Sequence, residues 1–178
     1  MLKTYRSCLL AAVAAAALMG LGAAARATEM TPDMDMDKIA RGTAEAPVSV
    51  VREPTDLPPP LALRAPQTVV VNLETIEVTG RLDDGTSYNY WTFNGKVPGP
   101  FVRVRVGDTV EVRFRNADDS MVMHNVDFHA VTGPGGGGLA TVSEPGQKSG
   151  FTFKALNPGI YVYHCATAPA AQHIAAGM

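Results

Sequence analysis

The sequence predicts an all-β fold, a Greek-key β-sandwich over residues 67–178. Three observations carry that prediction. Apolar residues alternate with polar or basic ones over residues 101–106 and 110–115, the two-residue period of half-buried strands. Turn sequences, among them Asp84-Gly85, Asn94-Gly95, Gly107-Asp108 and Asn157-Pro158-Gly159, separate the runs at short spacing. Helical periodicity is almost absent, as sandwiches require.

Taken in order, residues 1–27 read as a secretion signal and stand outside the fold. Lys3 and Arg6 precede an apolar run over residues 9–21, and Ala25-Arg26-Ala27 fits a small-x-small cleavage site. The run is short for a membrane span, so the expectation is an exported protein. Residues 28–66 read as an extended leader. Met30, Met34 and Met36 alternate with acids, and Pro47, Pro54, Pro58, Pro59, Pro60 and Pro66 exclude regular helix and central strand. From Thr68 the pattern is β. Val69-Val70-Val71 opens a strand to about Thr79, and residues 87–93 return after Asp84-Gly85. Pro98-Gly99-Pro100 breaks the chain before strands at 101–106 and 110–115. Residues 148–155 and 160–164 supply two more. Residues 133–138 form a glycine-rich loop without the strand-to-helix setting of a phosphate cradle, which argues against nucleotide binding.

Charge and cysteine usage narrow the function. Removing Lys3, Arg6 and Arg26 with the signal leaves 12 basic against 17 acidic side chains, a formal charge of −5. That balance argues against nucleic acid as a partner. Removing Cys8 leaves Cys165 alone in a compartment that oxidises exposed thiols, so it is buried, reactive or metal-bound.

Its neighbours favour metal. His173 lies eight positions after Cys165, and Met178 five beyond that. Thiolate, imidazole and a weak axial thioether on one tight loop form a donor set that suits copper. A second imidazole is needed, and His124 can supply it. Read singly, a cysteine and a methionine here are ordinary core residues; the spaced set is not. Strand parity then sorts the histidines. His164 and Cys165 are adjacent and face opposite ways, as do His124 and His129, five apart, if that segment is extended. Cys165 therefore pairs with His124, leaving His164 with His129, so two metal sites share one peptide bond. Asp127 lies between the two histidine positions, either facing the second site as a proton donor or standing as a solvated loop acid.

At these residues the chain resembles the N-terminal domain of the periplasmic copper-containing nitrite reductases. The resemblance runs from about Pro58 to Met178. It includes Trp91-Thr92-Phe93-Asn94-Gly95, Val97-Pro98-Gly99-Pro100, His124-Asn125-Val126-Asp127-Phe128-His129, Gly146-Gln147 and Tyr161-Val162-Tyr163-His164-Cys165. It implies a cupredoxin-type sandwich with type 1 copper on His124, Cys165, His173 and Met178. His129 and His164 would hold type 2 copper, where nitrite displaces water. The third type 2 histidine would come from the second cupredoxin domain of a neighbouring subunit in a homotrimer. Asp127 matches the aspartate that hydrogen-bonds nitrite and helps deliver protons, and the His164-Cys165 step would carry the electron. The implied activity is reduction of nitrite to nitric oxide in the periplasm. The implied electron donor is a small redox protein, a cupredoxin or a c-type cytochrome. The eight-position gap from Cys165 to His173 resembles the shorter-loop branch of the family. The sequence ends on the axial methionine, before the strand that would close the sandwich and before any second domain. It is therefore read as partial, and inactive by itself.

Two other classes explain less. A single-domain blue-copper electron carrier needs His124, Cys165, His173 and Met178, and gives no reason for His129, Asp127 or His164. Oxidases with a trinuclear copper cluster use His-x-His pairs, and the sequence contains none.

Overall fold

The computed structural model describes the backbone of residues 28–29 and the whole of residues 39–132 and 135–178. The secretion signal and Met30, Met34 and Met36 lie outside the described residues. Seven strands are described: β1 (Thr28–Glu29), β2 (Thr68–Asp83), β3 (Thr86–Phe93), β4 (Thr109–Asn116), β5 (Asp127–Phe128), β6 (Lys148–Lys154) and β7 (Tyr163–His164). One short helix, α1 (Ala170–Ala175), follows. No helix among the described residues is long and apolar enough to cross a membrane.

β2 is the spine. Its first half runs parallel to β4, from Thr68 opposite Thr109 to Glu74 opposite Arg115. Its second half pairs antiparallel with β3 through the Asp84-Gly85 turn, and β6 closes antiparallel on β4. A second, two-stranded sheet pairs Asp127 with His164 and Phe128 with Tyr163. Alternation explains the layers. Val69, Val71 and Leu73 of β2, with Val110, Val112 and Phe114 of β4, bury one face against Val126, Phe128 and Cys165. Burying a side chain such as Leu73 or Phe114 stabilises by about 1.5–3 kcal/mol. The predicted β-sandwich is the observed fold.

Four local expectations change. Residues 39–51 are not a free linker: Ile39, Val48 and Val50 cover Ile76, Val78 and Tyr90 on the opposite face of β2 and β3. Val48 N–H donates to Thr79 O at 3.2 Å, and Val97 N–H to Val50 O at 2.8 Å. The prolines bar regular structure but not a strap that borrows single backbone bonds. Residues 101–106 form no ladder among the described residues, although Val102 and Val104 pack on the core. The two-residue period there marks Val102 and Val104 for the core without bringing pairing, and Phe101 and Val106 stay exposed. Of residues 160–164 only Tyr163–His164 pairs, with Ile160 and Val162 exposed. Finally, α1 interrupts the expected ligand loop. Its Ala-Ala-Gln start consists of good helix formers, but six residues are too few for a periodic signal.

Candidate metal centres

The first cluster is built inside the core. Asn116, buried at the end of β4, accepts from the Thr75 hydroxyl at 2.7 Å. Its amide donates to Val122 O at 2.9 Å and Ser143 O at 3.0 Å. His124 and Ser143 then exchange backbone bonds at 3.1 and 2.9 Å. Two loops are thereby fixed, and His124 points inward. Cys165 follows β7 and is fully buried. His173 sits in the last turn of α1, and Met178, buried in the same apolar cluster as Cys165, donates its N–H to His173 O at 3.1 Å.

His124 Nδ1 and His173 Nδ1 are 3.1 Å apart, and Cys165 Sγ lies 3.3 Å from His173 Nδ1 and 3.8 Å from His124 Nδ1. Donors bound to one ion at about 2.0–2.3 Å stand roughly 3.3–3.8 Å apart at trigonal to tetrahedral angles. The two sulfur–nitrogen distances fall in that range and the nitrogen–nitrogen distance of 3.1 Å lies just below it, so a small spreading of the two rings would seat one ion. Burial, with His173 beside it, holds His124 down at about 4, and burial lowers His173 as well. Both imidazoles are therefore neutral near pH 7 and offer lone pairs. Trp91 packs on both rings, with centroids 4.6 Å from His173 and 5.4 Å from His124. Its backbone N–H reaches Ala176 O at 3.0 Å, so β3 supports the far end of the ligand segment.

Asn125 is the residue that sequence reasoning missed here. Its Oδ1 accepts the Ala166 N–H at 2.7 Å and faces Cys165 Sγ at 3.5 Å, while its Nδ2 donates to Gly138 O at 3.0 Å. It locks the cysteine loop to the glycine-rich loop. No local signal marks it, because its partners Ala166 and Gly138 are distant in sequence.

The second cluster lies across the His164–Cys165 peptide bond. Asp127, His129 and His164 place their donor atoms within 4.8 Å of one another. His129 is exposed, while Asp127 and His164 are half-buried. Asp127 and His164 face each other in the β5–β7 ladder. His129 lies just beyond β5, its N–H on Val162 O at 3.1 Å. The segment from His124 to His129 is not one continuous strand, yet the two histidines reach different clusters. His164 Nδ1 is 3.0 Å from Cys165 O, the geometry in which Nδ1 carries the proton and leaves Nε2 free to ligate. His129 Nε2 and His164 Nε2 stand 3.0 Å apart, again within reach of one ion.

Known proteins resemble this chain in sequence and in fold. The copper-containing nitrite reductase of Neisseria gonorrhoeae is 54% identical over 136 residues, covering 75% of this chain and 35% of that protein. The enzyme of that name from Neisseria meningitidis serogroup A is 55% identical over 130 residues, covering 73% and 34%. The chain thus spans about a third of the length of the curated relatives it matches. Among solved structures, a copper nitrite reductase from Nitrosomonas europaea superposes with a TM-score of 0.57 at 43% identity, covering 62% of this chain and 39% of that one. A multicopper oxidase superposes with a TM-score of 0.55 at 30% identity, covering 62% and 40%. The sandwich is of the cupredoxin type these proteins share. Residues 73–178, more than half of the sequence, match the family model described as multicopper oxidase, and the chain belongs to that family.

Proposed function

We propose that the protein carrying this chain reduces nitrite to nitric oxide and water, taking up one electron and two protons. One observation carries the reading: two donor clusters of different burial stand on either side of a single peptide bond, His164–Cys165. Copper, when bound, supplies one-electron exchange at the first cluster and a Lewis-acidic site for nitrite at the second. His124, Cys165, His173 and Met178 would hold the first ion in a dry pocket. His129 and His164 hold the second, with a third histidine from outside this chain. The His164 ring, bonded to Cys165 O and covalently next to Cys165, links the clusters. Asp127, beside both imidazoles, hydrogen-bonds nitrite and passes a proton to the departing oxygen. The identity to the nitrite reductases supports a copper enzyme acting on nitrite, and the residue roles rest on the geometry of the two clusters. The same reading includes a homotrimer, a small cupredoxin or c-type cytochrome as donor, and a periplasmic location supported by residues 1–27.

The test separates the clusters. In the full-length, copper-loaded protein, His129→Ala should retain the intense visible colour while losing second-site copper and most nitric oxide formation. Wild-type copper content with undiminished turnover would refute the assignment.

A further inference from the structure

The backbone of Gly136 points to a positioning role that rests on the nitrite-reductase reading. Phe128 N–H donates to Gly136 O at 2.9 Å, which folds the 135–138 segment back over β5. Gly136 has φ +41, and a Cβ built on it would overlap Asp127 Oδ1 and lie 2.7 Å from Phe128 O. Ordinary contact begins at 3.4 Å, so no side chain fits between this backbone and the carboxylate. Two positions on, Gly138 O accepts the Asn125 amide at 3.0 Å, and a Cβ on Gly138 would lie 3.8 Å from Asp127 Oδ2. The loop is therefore anchored at the cysteine clamp and lies flat on the acid.

The geometry points to Gly136 as a positioning residue for nitrite reduction: its bare backbone is the wall that sets where the Asp127 carboxylate stands relative to His129 and His164. A methyl group there would push the carboxylate by about an ångström, a displacement that costs on the order of 100-fold when a reacting group is misplaced. Gly135 supplies the control. It has φ +71 but nothing within 4 Å of a built Cβ, so a methyl there carries the backbone cost without the contact.

The experiment compares Gly136→Ala, Gly135→Ala and Asp127→Asn in the full-length, copper-loaded protein. Turnover, nitrite affinity from spectroscopic titration of the second copper, and thermal midpoint are measured. The expected result is a fall in kcat of about 10- to 100-fold and weakened nitrite binding for Gly136→Ala. Copper content and visible colour should be retained, and Gly135→Ala should stay within about twofold of wild type. Near-normal turnover and affinity in Gly136→Ala, or equal losses in both glycine variants, would overturn the inference. A slow Asp127→Asn beside a normal Gly136→Ala would sink only the wall. An unchanged Asp127→Asn would sink the role of Asp127 as well. If Gly136→Ala does not fold, the same change is made in an Asp127→Ala background. Recovered, coloured protein there supports contact with the carboxylate; continued misfolding assigns the clash to the Phe128 carbonyl and overturns the proposal.

Discussion

Replacing Asn125 with alanine should loosen the first cluster without touching a ligand. The side chain is buried and bonds the Ala166 N–H at 2.7 Å and Gly138 O at 3.0 Å. Its loss orphans the Ala166 N–H, while Gly138 O keeps the Thr141 hydroxyl at 3.4 Å. An orphaned group costs about 1–3 kcal/mol when water cannot reach it, and a weakened one less. Ala166 is half-buried, so its term belongs at the low end. The sum is about 1–2 kcal/mol. At about 4 °C per kcal/mol for a domain of this size, the thermal midpoint should fall by roughly 4–8 °C. Because Cys165 loses the Asn125 carbonyl facing its sulfur, the visible band of the copper-loaded protein should shift as well. Differential scanning calorimetry and absorption spectra of Asn125→Ala read both effects. A midpoint within about 3 °C of wild type, with an unmoved band, would show that the cysteine loop holds its shape without this clamp.

Two further outcomes are expected. Cys165→Ala should abolish the intense visible absorption of the copper-loaded protein, and a strongly coloured variant would remove Cys165 from the ligand set. At the base of the sandwich, Asp108 accepts both Arg64 Nη atoms at 2.6 and 2.7 Å and the N–H groups of Arg105 and Gln67. Arg64 chiefly holds its carboxyl down at about 2 from 3.8, so its stabilisation is full above pH 4 and is lost as pH falls through 2. After allowance for solvent at the Arg64 side, Asp108→Asn should cost about 1–2 kcal/mol at pH 7 in denaturant titration, the gap to wild type closing towards pH 2. A gap independent of pH would refute the ion pair.

The readable part of the sequence is the part written in alternation and in chemistry. β2, β3, β4 and β6 announce themselves through runs such as Val69-Val70-Val71 and Val110-Glu111-Val112, because one face of each must be buried. The donors announce themselves because Cys165, His173, His124 and His129 are too few and too closely grouped for accident. What was illegible depends on partners distant in sequence. Residues 39–51 look like linker until Ile76 and Val78 are seen to present a second apolar face to them. Residues 101–106 read as strand because apolar and basic side chains alternate, while pairing leaves no local trace. Asn125 and Gly136 are invisible as positions of consequence until Ala166, Gly138 and Asp127 are brought against them.

Burial divides the work between the clusters. Cys165 is 0% exposed, His124 1% and His173 3%, so the first donor set leaves no open face for a dissolved anion. His129 is exposed and His164 and Asp127 half-buried, so the second set admits one. On the proposed reading that difference assigns electron exchange to the dry side and nitrite to the wet side. The partition follows the alternation of extended backbone at the end of β7: adjacent side chains face opposite ways, so His164 turns to solvent where Cys165 turns to the core. Shifting the register of β7 by one residue would exchange the two, placing an imidazole against Val126 and Phe128 and a lone thiol on the surface. The Asp127–His164 and Phe128–Tyr163 pairing, fixed by the burial of Phe128 and by the Tyr163 hydroxyl donating to Pro100 O at 2.7 Å, holds that register. Residues such as Phe128 and Tyr163 thereby decide which of two adjacent side chains faces the core and which faces solvent.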